Sequence, residues 1–209
     1  MATRTRKPGG NSSRVLATLA VLGAIGALAT VGTYSLFTST VSGTQTISSG
    51  TVTIALGASG PANRLSVAAT NIAPNDTIQR AVNLLNTGTI DLSTVTLTTT
   101  ATTSSLLDTD ATNGLQMVID RCSVAWTETV VPAGGFTYTC SGATSAVITT
   151  RPVIGATIAM PGLTALTAAG TDFLRVTLTL PGTAGNTFQN RTSTIDYAFT
   201  ATQRAGTNR

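Results

Sequence analysis

The side chains that carry most protein chemistry are scarce in this chain. Its 209 residues include no His, and the acidic residues number eight. Without His there is no Ser-His-Asp or Cys-His catalytic arrangement and no imidazole ligand for zinc. No GxSxG nucleophile elbow, GxxxxGK phosphate loop or HExxH zinc motif occurs. The sequence therefore predicts a protein that is not an enzyme and that holds no cofactor or metal.

The acidic residues are spread along the chain and offer one close pair. Asp108 and Asp110 stand in a run of Asp, Thr and Asn residues before Gly114, and alternating oxygen ligands are typical of a Ca²⁺ loop. The closing Glu of an EF-hand loop is missing. The pattern favours a solvated turn and leaves open whether a divalent ion binds near the pair. The other acidic residues are Asp76, Asp91, Asp120, Glu128, Asp172 and Asp196.

The basic residues are concentrated at the N-terminus. Arg4, Arg6, Lys7 and Arg14 account for the net charge of +4, because the remaining Arg residues balance the acids. Beyond residue 14 single Arg residues are scattered, without the basic stripe and interleaved aromatic residues of a nucleic-acid groove. The charge pattern therefore excludes nucleic acid as a partner.

An apolar run follows the basic residues. Residues 15–31 read VLATLAVLGAIGALATV, and a positive flank before an apolar core is the layout of a secretory signal peptide. Two cleavage patterns compete, one ending at Ala29 and one at Ser35. We predict that the protein is secreted, with membrane contact only through the uncleaved signal segment. A permanent anchor is the alternative, although about 17 residues is short for a membrane span.

Export gives the two cysteines a structural interpretation. Cys122 and Cys140 are the only cysteines in the chain, and an even count in an oxidising compartment predicts a disulfide. Closing a loop of this size stabilises a fold by about 3 kcal/mol. A redox or metal site would need a CxxC spacing or further ligands, and the sequence has neither.

The rest of the chain has the composition and periodicity of β-strands. About one residue in five is Thr, whose branched side chain favours strands. Apolar residues recur at every second position, between turns rich in Gly, Pro and Asn. We predict an all-β fold of about eight to ten strands, an antiparallel, jelly-roll-like β-sandwich preceded by an N-terminal signal helix. An immunoglobulin-like sandwich is the alternative. The predicted strand runs are 52–56, 65–69, 78–84, 95–97, 115–119, 136–140, 174–180 and 195–199, and short helices are candidates at 106–113 and 163–169.

Several segments resemble one known family. Residues 32–37, GTYSLF, and residues 45–54, QTISSGTVTI, resemble the N-terminal signature of the TasA/camelysin family, in which an apolar signal precedes a mature chain that opens with a strand. Residues 86–92, 114–126 and 200–207 resemble the actinobacterial branch of that family. These motifs are structural, and none of them is catalytic.

The resemblance implies a jelly-roll subunit that is exported through the Sec route and processed by a SipW-type signal peptidase. Cleavage would fall between Ser35 and Leu36, or one position later, before Phe37. In that family, subunits join when the mature N-terminal segment of one inserts as a strand into the next. Here the donor strand would cover about residues 37–49, with Phe37, Val41 and Ile47 as its apolar side chains. Some family members were described as metallopeptidases, and the missing His argues against that activity here.

Two functions follow as hypotheses. The first is a secreted structural protein that forms extracellular or cell-surface biofilm-matrix fibres by donor-strand exchange. Its partners would be copies of itself, the signal peptidase and a fibre-nucleating or anchoring protein. The alternative is a monomeric β-sandwich that binds cell-wall glycan or another surface ligand. Trp126 and Tyr138 would then form a stacking platform for sugar, although core packing beside the disulfide is the simpler interpretation. The predicted domains are a signal peptide (1–36), a donor-strand segment (37–50) and the sandwich (51–209).

Overall fold

The structure is a computed structural model that describes residues 49–66, 72–132 and 135–207. These residues belong to one compact unit, Ser48–Arg209. The predicted signal helix, the cleavage region and the donor residues Phe37, Val41 and Ile47 lie outside the described residues. Within the described ranges, no helix has the length and apolar character that a membrane span requires.

Ten β-strands build the described part of the chain, together with a four-residue helix and one 3-10 helix. The alternation of apolar and Thr residues explains their number, because each run buries one face. The strands are β1 (Ile54–Leu56), β2 (Thr77–Asn86), β3 (Leu92–Thr103), β4 (Gln116–Cys122), β5 (Thr127–Val131), β6 (Gly135–Thr139), β7 (Thr144–Pro152), β8 (Gly155–Ala159), β9 (Thr171–Thr179) and β10 (Thr194–Gln203). The helix α1 spans Leu106–Thr109, and the 3-10 helix spans Asn186–Phe188.

The strands form two larger sheets and a separate ribbon, all with antiparallel pairing. The five-stranded sheet has the order β1-β2-β9-β4-β7, the three-stranded sheet has the order β10-β3-β8, and β5 pairs with β6. Counting β2 to β9 as eight strands, the first, eighth, third and sixth lie side by side, as in one sheet of a jelly roll. The second pairs with the seventh, as in its other sheet. This order confirms the jelly-roll-like prediction over the immunoglobulin-like alternative.

The two larger sheets pack face to face around the main core. Leu84 on β2, Leu97 on β3 and Ile119 on β4 are completely buried in it. Each alternates with exposed or half-buried neighbours along its strand, as a sandwich requires. Full burial of one such side chain contributes roughly 1.5–3 kcal/mol. The core also contains Val82, Leu92, Val95, Met117, Val147, Ile148, Ile158, Met160, Leu163, Ala165, Leu174 and Val176.

The β5–β6 ribbon covers the outer face of the five-stranded sheet. Trp126 and Tyr138 pack there against Ala81 of β2 and against Cys122 at the end of β4. Cys122 is bonded to Cys140, which follows β6 directly. The disulfide that the sequence predicts is therefore present, and it fastens the ribbon to the end of β4.

Three local predictions need correction. Residues 163–169 form turns rather than a helix. The helix predicted over 106–113 ends at Thr109, because Asp110 Oδ1 accepts the backbone N–H groups of Thr112 and Asn113 and closes a tight turn. Leu65, predicted to lie in a strand, lies in a turn instead. In each case, side-chain hydrogen bonds or turn geometry outweigh an apolar pattern that is only a few residues long.

Candidate assembly site

The last strand, β10, is an open edge of the sandwich. It pairs with β3 along one side, and it ends the order of the three-stranded sheet, so no described strand pairs with its other side. The strand is ten residues long. It contains no Pro and no Lys, and Asp196 is its one charged residue. An edge without these protective features presents free N–H and C=O groups to an added strand.

The other long or exposed edges are protected. β7 ends in Arg151 and Pro152, and its pairing with β4 is interrupted by two register shifts. β8 has five residues, a register shift against β3 and Thr157 in a left-handed conformation with φ of 52°. Bulges, short strands and Pro are the usual features that keep an edge from pairing. By contrast, the register of β10 with β3 is regular from Ile195 to Thr202.

The neighbouring edge of β2 is covered by the chain's own segment 54–64. After β1, the segment continues along β2 through backbone hydrogen bonds from Gly57 N to Asn83 O and from Arg64 N to Ala81 O. Arg64 then donates two hydrogen bonds to the carboxylate of Glu128 on β5, at 2.9 and 2.7 Å. Its guanidinium also lies over the Phe136 ring, 4.6 Å from the ring centre. These contacts with the ribbon hold segment 54–64 against β2, and they thereby fix the position of β1.

An apolar cleft of about 170 Å³ opens between β1 and β10. Ile54 and Leu56 form one wall, Tyr197 and Phe199 form the other, and Leu84 lies at its base. Leu56 is 39% exposed, and Val52 just before β1 is 38% exposed. Exposed apolar side chains beside an open strand edge allow β-strand addition to select a peptide.

Tyr197 is the one residue with a polar side-chain group among those that line this cleft. Burial raises the pKa of Tyr197 to about 12, although the charge on Arg80 opposes the shift. The phenol therefore stays neutral over the physiological pH range, and Tyr197 contributes a ring to the cleft without a charge.

A hydrogen-bonded cluster anchors the start of β10. Asp108 in α1 accepts the hydroxyl protons of Ser104 and Ser193 and the backbone N–H of Ser105. Ser105 caps α1 by accepting the N–H of Leu107. Burial acts to raise the pKa of Asp108, but these hydrogen bonds outweigh burial and hold that pKa below its usual value. Since Ser193 directly precedes β10, the cluster fixes where the open edge begins.

The structure does not support the sugar platform that the alternative function would need. Trp126 and Tyr138 are 8% and 5% exposed, and their side chains pack between the ribbon and the five-stranded sheet. The Trp126 indole donates to Phe173 O, and the Arg175 guanidinium covers its ring at 4.4 Å. Core packing beside the disulfide is therefore the role of these two rings.

The acidic and sulfur side chains do not fit a metal centre. Both cysteines are in the disulfide. Asp120, Glu128 and Asp172 are each bound by an Arg guanidinium, Asp108 serves the cluster at the start of β10, and Asp110 closes its own turn. Among the described residues, no three acidic, Cys or His side chains converge on one point. With no His in the sequence, the chain lacks the donor set of a catalytic zinc site.

The fold and the site define a class: a jelly-roll-like β-sandwich with an unprotected edge strand beside an apolar cleft. A family model described as camelysin metallo-endopeptidase matches residues 14–129, which is more than half of the chain. The chain therefore belongs to the camelysin family. This is the TasA/camelysin family that its sequence motifs predict. The peptidase activity in the family's name has no matching donor set here.

The other comparisons add little. No curated protein matches the chain. A solved structure described as "AvmM Catalyzes Macrocyclization in Alchivemycin A Biosynthesis" is similar at 10% identity and a TM-score of 0.28, covering 75% of this chain and 91% of that one. A likeness this slight carries no argument about fold or function.

Sequence reasoning missed the walls of the cleft. It placed Ile54, Leu56, Tyr197 and Phe199 in strands, but as ordinary core residues. The sequence contains a weak signal for the site. In β10, apolar and polar residues alternate over a long stretch without Lys or Pro, which is typical of an unprotected edge. The other strand of the cleft, β1, is followed at once by a Gly-rich turn. That signal does not show that the two strands lie side by side.

Proposed function

We propose that this protein is a secreted, non-enzymatic structural subunit that assembles into extracellular or cell-surface matrix fibres. In this proposal, the N-terminal segment 37–49 of one subunit adds as a strand to β10 of the next subunit. Family membership supports a secreted matrix protein. The observation that carries the finer proposal is the long, unprotected edge of β10 beside an apolar cleft.

The sequence of the donor segment fits this edge. Successive side chains of a strand point to opposite faces, so in an extended strand Phe37, Val41 and Ile47 share one face, with Ser39, Gly43 and Gln45 between them. The opposite face carries only Thr and Ser: Thr38, Thr40, Ser42, Thr44, Thr46 and Ser48.

β10 has the same two-faced pattern. Ile195, Tyr197, Phe199 and Ala201 are half-buried, and they alternate with the exposed residues Thr194, Asp196, Ala198, Thr200 and Thr202. An added strand of matching pattern would place its apolar side chains over the cleft and its hydroxyl side chains in solvent. Backbone pairing would supply affinity, and the cleft would supply selectivity.

The segment is also long enough. Residues 37–49 number thirteen against the ten residues of β10, so the segment can pair along the whole edge and still connect to its own domain. Export and removal of residues 1–36 by a SipW-type signal peptidase would free this segment. A nucleating or anchoring protein would offer the first acceptor edge.

The test is electron microscopy together with size exclusion of the mature chain, starting at Leu36 or Phe37. We expect filaments that disappear when residues 37–49 are removed. The matched point variants are Ile47→Asp and Ser48→Asp, which add the same charge to neighbouring positions on opposite faces of the donor strand. Ile47→Asp should abolish filaments and Ser48→Asp should retain them. Filaments that survive the deletion, or equal effects of the two variants, would contradict strand donation.

A further inference from the structure

One buried nucleophile has no role in the fold. The hydroxyl oxygen of Thr177 on β9 is inaccessible to solvent and has no hydrogen-bond partner in the described part of the chain. Leaving a buried hydroxyl unpaired costs about 1–3 kcal/mol, so such groups are rare and need an explanation. Leu174 and Val176 face the main core, so Thr177 points to the outer face of the five-stranded sheet.

The residue opposite Thr177 carries an electrophilic carbon. Gln79 on β2 is its cross-strand partner, and directly paired residues point to the same face with their Cβ atoms about 5 Å apart. A bridge through Cγ and Cδ of Gln79 to Oγ1 of Thr177 spans about this distance. The register therefore brings a hydroxyl and a carboxamide together on one face.

The carboxamide is already held by a donor suited to stabilising negative charge. Gln79 Oε1 accepts the backbone N–H of Tyr138, at 3.1 Å. Tyr138 belongs to the β5–β6 ribbon, which covers this part of the sheet and is fastened by the disulfide. An N–H on the carbonyl oxygen polarises the carbon and would stabilise the oxyanion of an addition intermediate. The ribbon also keeps water from a bond formed beneath it.

We propose that Thr177 and Gln79 form an intramolecular ester that joins β9 to β2. In this step Oγ1 of Thr177 adds to Cδ of Gln79, the Cδ–Oγ1 bond forms, and the Cδ–Nε2 bond breaks. The nitrogen leaves as ammonia with the proton of the hydroxyl, so no oxidant, reductant or co-reactant is needed.

This bond is a cross-link that the composition of the chain permits. The exported region has no Lys, so a Lys-based isopeptide bond cannot form there. A Thr–Gln ester would lock two neighbouring strands at the centre of the five-stranded sheet. The inference is independent of fibre assembly, because both residues lie within one domain.

The test is the intact mass of the purified mature chain. We expect a mass about 17 Da below that of the disulfide-bonded sequence, the loss of one ammonia. Trypsin cleaves after Arg64, Arg80, Arg175 and Arg191, so the peptides 65–80 and 176–191 should be recovered joined, and hydroxylamine should separate them.

Matched variants complete the test. Thr177→Val removes the hydroxyl and should restore the lost mass, whereas Thr177→Ser keeps the hydroxyl and should keep the loss. Thr179→Val changes the next residue on the same face of β9 and should also keep the loss. Cyclisation of Asn113-Gly114 to a succinimide would also release one ammonia. That mass loss would remain in Thr177→Val, and the two peptides would be recovered separately. A mass explained by the disulfide alone, or free peptides 65–80 and 176–191, would overturn the proposal.

Discussion

Arg64 and Glu128 join two parts of the chain that the sequence separates by 64 residues. Arg64 lies at the end of the segment that covers the edge of β2, and Glu128 lies on the ribbon. The Arg64 Nη2 to Glu128 Oε1 distance is 2.7 Å, and the Tyr138 hydroxyl donates to the other oxygen of the same carboxylate at 2.9 Å. Three donors on one carboxylate fix the wall of the cleft to the ribbon.

This contact predicts a pH-dependent stability. The hydrogen bonds from Arg64 and from Tyr138 outweigh burial and hold the pKa of Glu128 below its ordinary value of 4.5. Because the folded pKa is depressed, the stabilisation is fully present above pH 4.5 and is lost as the pH falls through the folded pKa. Glu128→Gln should lower the Tm by roughly 2–4 °C at neutral pH. The difference from the parent should shrink in thermal melts below pH 4. A constant difference at every pH would contradict a role for the charge.

Asp108 is expected to control the order at the start of β10. Asp108→Asn leaves the Ser193 or Ser104 hydroxyl without its charged acceptor, which costs about 1–3 kcal/mol. Urea unfolding should show this loss. Relative to the parent protein, the variant should show a larger increase in hydrogen exchange at Ile195 and Asp196 than at the distant end of the strand, near Thr202. Uniform exchange along β10 would place the effect elsewhere.

The disulfide should stabilise the ribbon more than the sandwich. Replacing both Cys122 and Cys140 by Ser should reduce the free energy of unfolding by about 2–4 kcal/mol. Since the bond anchors β6 next to Trp126, indole fluorescence should shift toward that of exposed Trp before the sheets unfold. A single cooperative transition in fluorescence and circular dichroism would contradict this order of events.

The cleft predicts a matched pair of surface variants. Leu56→Lys places a charge at the rim of the cleft, on a side chain that is 39% exposed, so the fold should tolerate it. We expect it to prevent filament formation, because a charge beside an open edge opposes strand addition. Val130→Lys makes the same change on the ribbon, at a side chain that is 69% exposed and lies outside the cleft. It should leave filaments intact, and equal loss in both variants would remove the cleft from the mechanism.

The alternation of apolar residues was sufficient to predict the class of fold. Val95 and Leu97 are two positions apart, as are Leu174 and Val176, and only a strand directs side chains at this spacing to the same face. The structure buries all four residues. The prediction was weakest where the pattern was short. Leu65 lies in a turn, where its backbone N–H donates to the side chain of Asn63. Residues 163–169 form turns because the carboxylate of Asp172 accepts the N–H groups of Thr164 and Ala165. Such contacts depend on residues that the periodicity does not connect.

The sequence by itself determined which reactive side chains this protein contains and the local form of its chain. The missing His, the two cysteines and the period of two are properties of composition and of neighbouring residues. Only the tertiary structure decided which strands are neighbours. It therefore decided that Leu56 and Phe199 line one cleft and that, among the described strands, none pairs with the outer side of β10. The reason is that strand order is set by pairings between distant residues, whose free energies depend on the whole packed sandwich.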